Sequence, residues 1–256
     1  MSPAGEPLVH CVVPVHNDAD TIEAEVAGYI EQISALSASF QLWLAENGSA
    51  DDSARVIRTL EGPAGDRITV HAASIEPAGI GHAYHHGMQR VFSTPASPGQ
   101  WILLTAGDFP FGITDLEGFL PFARRYRGRA IAVGSKAHRD SRIRTRGKRQ
   151  IPTLVYRALR RGIVGMRTRD SQGTVFMARG DAQLLATRVR SRDFFYSTEL
   201  VYWAERLGYA VEELPVQLRP CIRPSTVRWS TVAPAMLRDL WRLRNDHGMI
   251  GDAPGE

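Results

Sequence analysis

Apolar residues in this chain fall into short continuous runs separated by longer stretches in which they recur every three or four positions. Residues 8–15 (LVHCVVPV) form an apolar, β-branched run ended by Pro14 and Asn17, which reads as a buried strand. From Asp18 to Ser37 the period changes. Ile22, Val26, Ile30 and Ile33 share one helical face, Asp18 or Asp20 is placed to cap the first turn, and Glu23 and Glu25 suit a helix N-terminus. The same alternation continues with strands expected at 40–45, 67–73, 101–105 and 130–134, and helices at about 51–60, 81–92 and 114–126. Strands that alternate with helices predict an α/β fold with a mostly parallel, helix-covered sheet. After residue 135 the pattern loosens into a basic loop (136–149), a helix (152–164), a strand (174–178), helices at 181–187 and 198–207, and a strand at 210–218. The last element, 232–244, sets Met236, Leu237, Leu240, Trp241 and Leu243 against Arg238, Arg242 and Arg244, an amphipathic basic helix. The expected division is one domain over 1–230 and a C-terminal amphipathic helix and tail over 231–256.

Composition narrows the class. At 256 residues, with 43% hydrophobic and 23% charged side chains, the chain is neither disordered nor fibrous. Cys11 and Cys221 are its two cysteines, too few for a disulfide framework, so a reducing, cytoplasmic setting is expected. Residues 1–7 lack the pattern of a signal peptide, and no run of about 18 apolar residues occurs, so no transmembrane helix is expected. Charge is uneven along the chain. Residues 1–120 hold four basic and fifteen acidic side chains, whereas residues 121–170 hold sixteen basic and two acidic. A block of that kind points to an anionic partner, the alternative being a solvated face.

In an open α/β sheet, ligands bind beyond the carboxyl ends of the strands, so the polar residues there are candidates. Four such ends carry motifs: Pro14-Val15-His16-Asn17-Asp18, Glu46-Asn47-Gly48-Ser49-Ala50-Asp51, Gly79-Ile80-Gly81-His82 and Ala106-Gly107-Asp108. Asp170-Ser171-Gln172-Gly173 and Glu199-Leu200 follow downstream. Together, in this order, they resemble the family-2 glycosyltransferases of the GT-A fold, and most closely the dolichol-phosphate mannose synthase branch. The resemblance covers roughly residues 8–220. It implies inverting transfer of a hexose, mannose from GDP-mannose above others, to a polyprenyl phosphate. Pro14, His16, Asn17, Asp18, Glu46, Asn47, Gly48, Ser49, Asp51, Gly79, Gly81 and Gln172 would then bind the nucleotide sugar, and Asp108, Asp170 and Glu199 would serve catalysis. Carboxylates can accept from base and ribose, Gly48 would let backbone approach the ring, and Gly79 and Gly81 before a helix would suit a diphosphate. Helix capping is the competing reading for Asp18 and Asp51, and a structural salt bridge for Glu199.

The family commonly has Asp-x-Asp where this chain has Ala106-Gly107-Asp108, so Asp108 alone remains to hold Mg²⁺ or Mn²⁺ with the diphosphate. His82, His85 and His86 have a spacing that could mimic a metal face, although ordinary histidines are the plainer reading. In the basic stretch, Lys136, Arg139, Arg142, Arg144 and Arg146 are the candidates for an acceptor phosphate, since guanidinium groups bind phosphate bidentately. Ile151, Leu154, Val155, Leu159, Ile163 and Val164 follow, suiting a lipid tail or packing in the core. With the C-terminal helix, the stretch also suits an anionic membrane surface. No nucleic-acid-binding motif accompanies it, and nucleic acid is not expected as a partner. A soluble hydroxyl acceptor and a catalytically inert nucleotide-sugar-binding subunit stay open as alternatives.

Overall fold

The run Leu8–Val15 forms β1, and every residue of it beyond Leu8 is buried because helices cover both faces of the sheet. The computed structural model describes residues 6–126, 128–143, 151–219 and 229–249, with side chains excepted at 151–153, 229–233 and 247–249. The elements after β1 are α1 (Ile22–Ser34), β2 (Ser39–Asn47), α2 (Ser53–Thr59), β3 (Gly62–Gly65), β4 (Ile68–Ile75), α3 (Ile80–Phe92), β5 (Gln100–Leu104) and α4 (Thr114–Arg125). There follow β6 (Ala130–Ser135), α5 (Ile151–Val164), β7 (Thr174–Ala178), α6 (Arg179–Ala186), α7 (Tyr196–Arg206), β8 (Ala210–Pro215) and α8 (Trp229–Met249).

The strand order is β3-β4-β2-β1-β5-β7-β6-β8. Strands β4, β2, β1 and β5 pair in parallel, β6 pairs in parallel with β8, and β7 runs antiparallel between β5 and β6. The chain progresses from β1 outward through β2 to β4, then crosses to β5 on the other side of β1. The gap beyond the ends of β1 and β5 is therefore the topological switch point, where such sheets place ligands.

Alternate residues of β1 supply two cores. Val9, Cys11, Val13 and Val15 pack with Ile22, Val26, Tyr29 and Ile33 of α1 and Phe119 of α4, while Val12 packs with Tyr84, Met88 and Val91 of α3 and Leu200 of α7. Two expectations change. Gly62-Pro63-Ala64-Gly65 carries no strand signature, yet it pairs antiparallel with β4 as an edge, where a proline is tolerated. In α8, Met236, Leu240 and Leu243 are at most 2% exposed and belong to the same core as α7, so this part of its apolar face is covered by protein. None of the described helices is long and apolar enough to cross a membrane.

Candidate functional site

The loops after β1 and β2 are bonded to each other through the polar residues of both motifs. His16 Nδ1 donates to the Asn47 carbonyl at 2.8 Å, the Asn17 amide to Ser49 Oγ at 3.1 Å, and the Ala50 amide to Asn17 Oδ1 at 2.8 Å. The Asp18 amide donates to Ser53 Oγ at 2.8 Å and the Ala19 amide to Asp51 Oδ2 at 3.1 Å. Asn17 makes its turn at φ +54°, a left-handed conformation that asparagine tolerates. Asp51 accepts the Ser53 hydroxyl and amide, which, with the hydroxyl as the main cause, holds its carboxyl below the usual range. Asp51 thus tends the first turn of α2, whereas the Asp18 carboxylate accepts the His16 amide at 3.2 Å and Thr21, the N-cap residue of α1, makes no side-chain cap bond. Pro14 is buried in β1, with its carbonyl 2.7 Å from where a Cβ on Gly107 would sit.

An open cleft of about 470 Å³ lies beyond β2 and β4, bordered by Glu46, Gly48, Ser49, Ser74 and Glu76. Glu46 is 4% exposed and accepts the Ser49 amide at 2.6 Å. Gly48 differs from its expected role: at φ +63°, a Cβ there would lie 2.5 Å from the Glu76 carbonyl, so the close approach it permits is to its own chain. Gly79 and Gly81 likewise differ. A Cβ on either would come within 2.6 Å of the Arg192 backbone, and the His82 amide donates to the Arg192 carbonyl at 3.0 Å. On the side of these two glycines the N-terminus of α3 is thus packed against residues 192–193, while Ile80 borders a second cleft.

Asp108 stands exposed at the switch point. Burial of its surroundings raises its carboxyl above the usual range, with Glu25 and Asp18 adding to the shift and Arg219 opposing it. The turn is held in an uncommon shape. Phe109 has φ +40°, is buried, and stacks on Tyr29 with ring centroids 4.0 Å apart. Arg219, which the sequence reading missed, donates to Glu25 at 3.2 Å and to the Phe109 carbonyl at 3.4 Å. Its isolation from any motif hid it; only the fold brings the end of β8 to this turn. The described residues contain no group of three His, Cys, Asp or Glu side chains able to hold a metal by themselves. His85 and His86 are held below the usual histidine range, chiefly by burial.

The second cleft, of about 300 Å³, opens beside this turn and is lined by Tyr84, Ala106, Lys136, Gln172, Phe194 and Met236 among others. Lys136 is the cation among the described residues that line it. Asp170 lies beneath, 6% exposed, accepting the Lys136 amide at 2.9 Å and the Gln172 amide at 3.1 Å. Its carboxylate therefore shapes the cleft through backbone. Glu199 departs further from a catalytic role. It is fully buried and accepts Arg242 of α8 and the Ser191 amide, at 2.9 and 2.8 Å, because α8 closes over it. Arg139 and Arg142 are exposed and do not line the cleft, Arg139 pairing with Asp140 at 3.4 Å; Arg144 and Arg146 lie outside the described residues. On α5, Val164 is buried and Leu159 and Ile163 pack against the core, while Leu154 and Val155 are 59% and 52% exposed.

No family model matches the chain. It is 28% identical over 215 residues to Glycosyltransferase AglD of Haloferax volcanii, an alignment covering 83% of this chain and 33% of that protein. The chain thus spans about a third of the length of that curated relative. Glucosyl-3-phosphoglycerate synthase from Mycobacterium tuberculosis, in complex with Mn²⁺, UDP-glucose and phosphoglyceric acid, superimposes with a TM-score of 0.63 at 18% identity, covering 98% of this chain and 82% of that one. The same enzyme with UDP gives 0.61 at 17% identity, covering 98% and 83%. The fold is the GT-A fold of these glycosyltransferases.

Proposed function

We propose that this chain is an inverting glycosyltransferase that moves a hexose from a nucleotide sugar to a polyprenyl phosphate, with GDP-mannose as the expected donor. The observation that carries the reading is Asp108, exposed at the β1/β5 switch point on a turn whose Ala106 and Pro110 line a largely apolar cleft that contains Lys136, while an acidic cleft lies beyond β2 and β4. Likeness to AglD supports glycosyl transfer. The donor would occupy the first cleft, and the acceptor the second. A phosphate oxygen of the acceptor attacks the anomeric carbon, the bond from that carbon to the donor diphosphate breaks, and the nucleoside diphosphate leaves with the electron pair. A phosphate monoester has its second pKa near 6 and is already an ionised nucleophile, so orientation and charge complementarity carry the step. That suits this site, because Asp170 is occupied by backbone amides and Glu199 by Arg242.

A divalent cation would fit at Asp108, where Asp18 and Glu25 already disfavour a further negative charge, with the donor diphosphate completing its ligands. Such an ion would offset charge on the departing diphosphate. On the acceptor side, exposed Leu154 and Val155 of α5 and Trp241 of α8 stand with exposed Arg161, Arg238 and Arg244, a composition that fits an anionic bilayer holding the lipid substrate.

The test is transfer from a panel of labelled nucleotide sugars, in detergent, to phytanyl phosphate, 3-phosphoglycerate or a simple sugar. Transfer to phytanyl phosphate, rising through about pH 6, is expected. Labelling of 3-phosphoglycerate or of a sugar hydroxyl, with none of the lipid phosphate, would establish the second reading, a soluble acceptor, which the phosphoglycerate complex of the structural neighbour favours.

A further inference from the structure

Beneath the second cleft, two separate stretches of backbone converge on one side chain of β8. Glu213 Oε1 accepts the Ser135 hydroxyl at 2.7 Å and the Asp170 amide at 3.2 Å. Each of those residues passes the constraint on. Asp170 accepts the Lys136 and Gln172 amides, and Ser135 Oγ accepts the Ala137 amide at 3.1 Å. Lys136 and Gln172 both border the cleft. The two stretches also touch directly, since a Cβ on Gly173 would lie 1.8 Å from the Gly134 carbonyl, so neither can shift alone. Glu213 sits opposite Val133 in the parallel β6–β8 pair, and its outer oxygen faces Arg169 Nε at 3.9 Å.

We infer that Glu213 is a positioning residue for the acceptor: through Ser135 and Asp170 it sets where the Lys136 ammonium and the Gln172 amide are presented to an anionic group in the cleft. The inference rests on the acceptor reading above. A lysine is a point charge on a flexible stem, so the placement of its backbone decides where the charge can reach. Displacements of about 1 Å are enough to cost as much as a hundredfold in rate. The donor cleft lies beyond β2 and β4 and shares none of these bonds.

Glu213→Ala, Glu213→Gln and Ser135→Ala separate this role from plain stability. In the unliganded protein, amide exchange over residues 133–141 and 169–175 should quicken in Glu213→Ala and return towards the parent rate in Glu213→Gln, whose amide oxygen still accepts. With phytanyl phosphate as acceptor, Glu213→Ala should raise KM for the lipid about tenfold and leave KM for the nucleotide sugar unchanged. Ser135→Ala should act in the same direction, and Glu213→Ala should add little to Lys136→Met. Equal losses for donor and acceptor, or full additivity with Lys136→Met, would overturn the positioning role. Unchanged exchange in Glu213→Ala would refute the network itself whatever the enzyme's substrate. Absence of transfer to any phosphate acceptor would refute the functional reading and the acceptor role together.

Discussion

Asp108 and its neighbour Ala106 show how one side chain alters the chemistry of a turn whose geometry is kept. Gly107 packs on the Pro14 carbonyl, and Phe109 is pinned by Tyr29, so the backbone around Asp108 is fixed whether or not position 106 carries a carboxylate. Asp108→Ala should therefore abolish transfer without lowering the melting temperature, whereas Ala106→Asp should tighten Mn²⁺ binding in the presence of a nucleoside diphosphate, as read by calorimetry. Full activity of Asp108→Ala with metal present would remove it from the site. Asp108 was legible because it follows a strand in a known order of motifs. The roles of Gly48, Gly79 and Gly81 were not, because a glycine signals only that something comes close, and here that something is the chain's own backbone at 76–78 and 192–193.

Helix α8 carries both a structural bond and an exposed edge. Arg242 pairs with Glu199, whose side chain is 1% exposed, and removing the arginine leaves that buried carboxylate held by the Ser191 amide. Arg242→Ala should cost about 3 kcal/mol, seen as a fall in melting temperature of roughly 10 °C. Glu199→Gln/Arg242→Ala should recover part of it; equal stability of Arg242→Ala and the parent would show that the pair does not hold α8. The exposed edge predicts a separate behaviour. Sedimentation with anionic liposomes should carry the protein down at low salt and release it at high salt, each Lys or Arg near the surface contributing about 1 kcal/mol. Trp241→Ala with Leu154→Ala should weaken it. Retention of the parent in the supernatant at low salt would end the membrane reading. The helix was legible as amphipathic from its period, but period alone could not say which apolar residues meet protein, and Met236 and Leu240 do.

For the molecule as a whole, two buried groups set opposing responses to pH. Asp115, 2% exposed at the start of α4, has its carboxyl raised by burial to about 7. A folded-state value above the unfolded one means that its contribution is present below about pH 4 and is lost as pH rises through 7. Asp115→Asn should therefore gain on the parent as pH rises from about 4 to 7, by up to roughly 4 kcal/mol in denaturant unfolding; a constant difference would refute the assignment. His10, buried beside Trp43, is lowered to about 4 by burial and then by Arg179, so its effect has the other sign and stability declines as pH falls from 6.5 towards 4. Burial of His10 was implicit in the buried run 8–15, but the neighbours that shift it were not, and Asp115 reads as an ordinary first-turn acid until packing encloses it. What the sequence by itself determined is the order and type of the elements apart from the edge strand β3, and the edge of the sheet on which polar motifs gather, because strand and helix periodicities are local and the doubly covered sheet follows from their alternation. The tertiary structure alone decided which of those polar residues face a cleft. Glu46, Ser49, Lys136 and Gln172 do, Asp108 is exposed on the turn whose Ala106 and Pro110 line the second cleft, Glu199 is sealed beneath α8, and Asp170 is turned to backbone. Glu213 and Arg219 entered the site only when β8 was laid beside β6, since exposure and partnership depend on contacts between residues far apart in the chain, which no local pattern records.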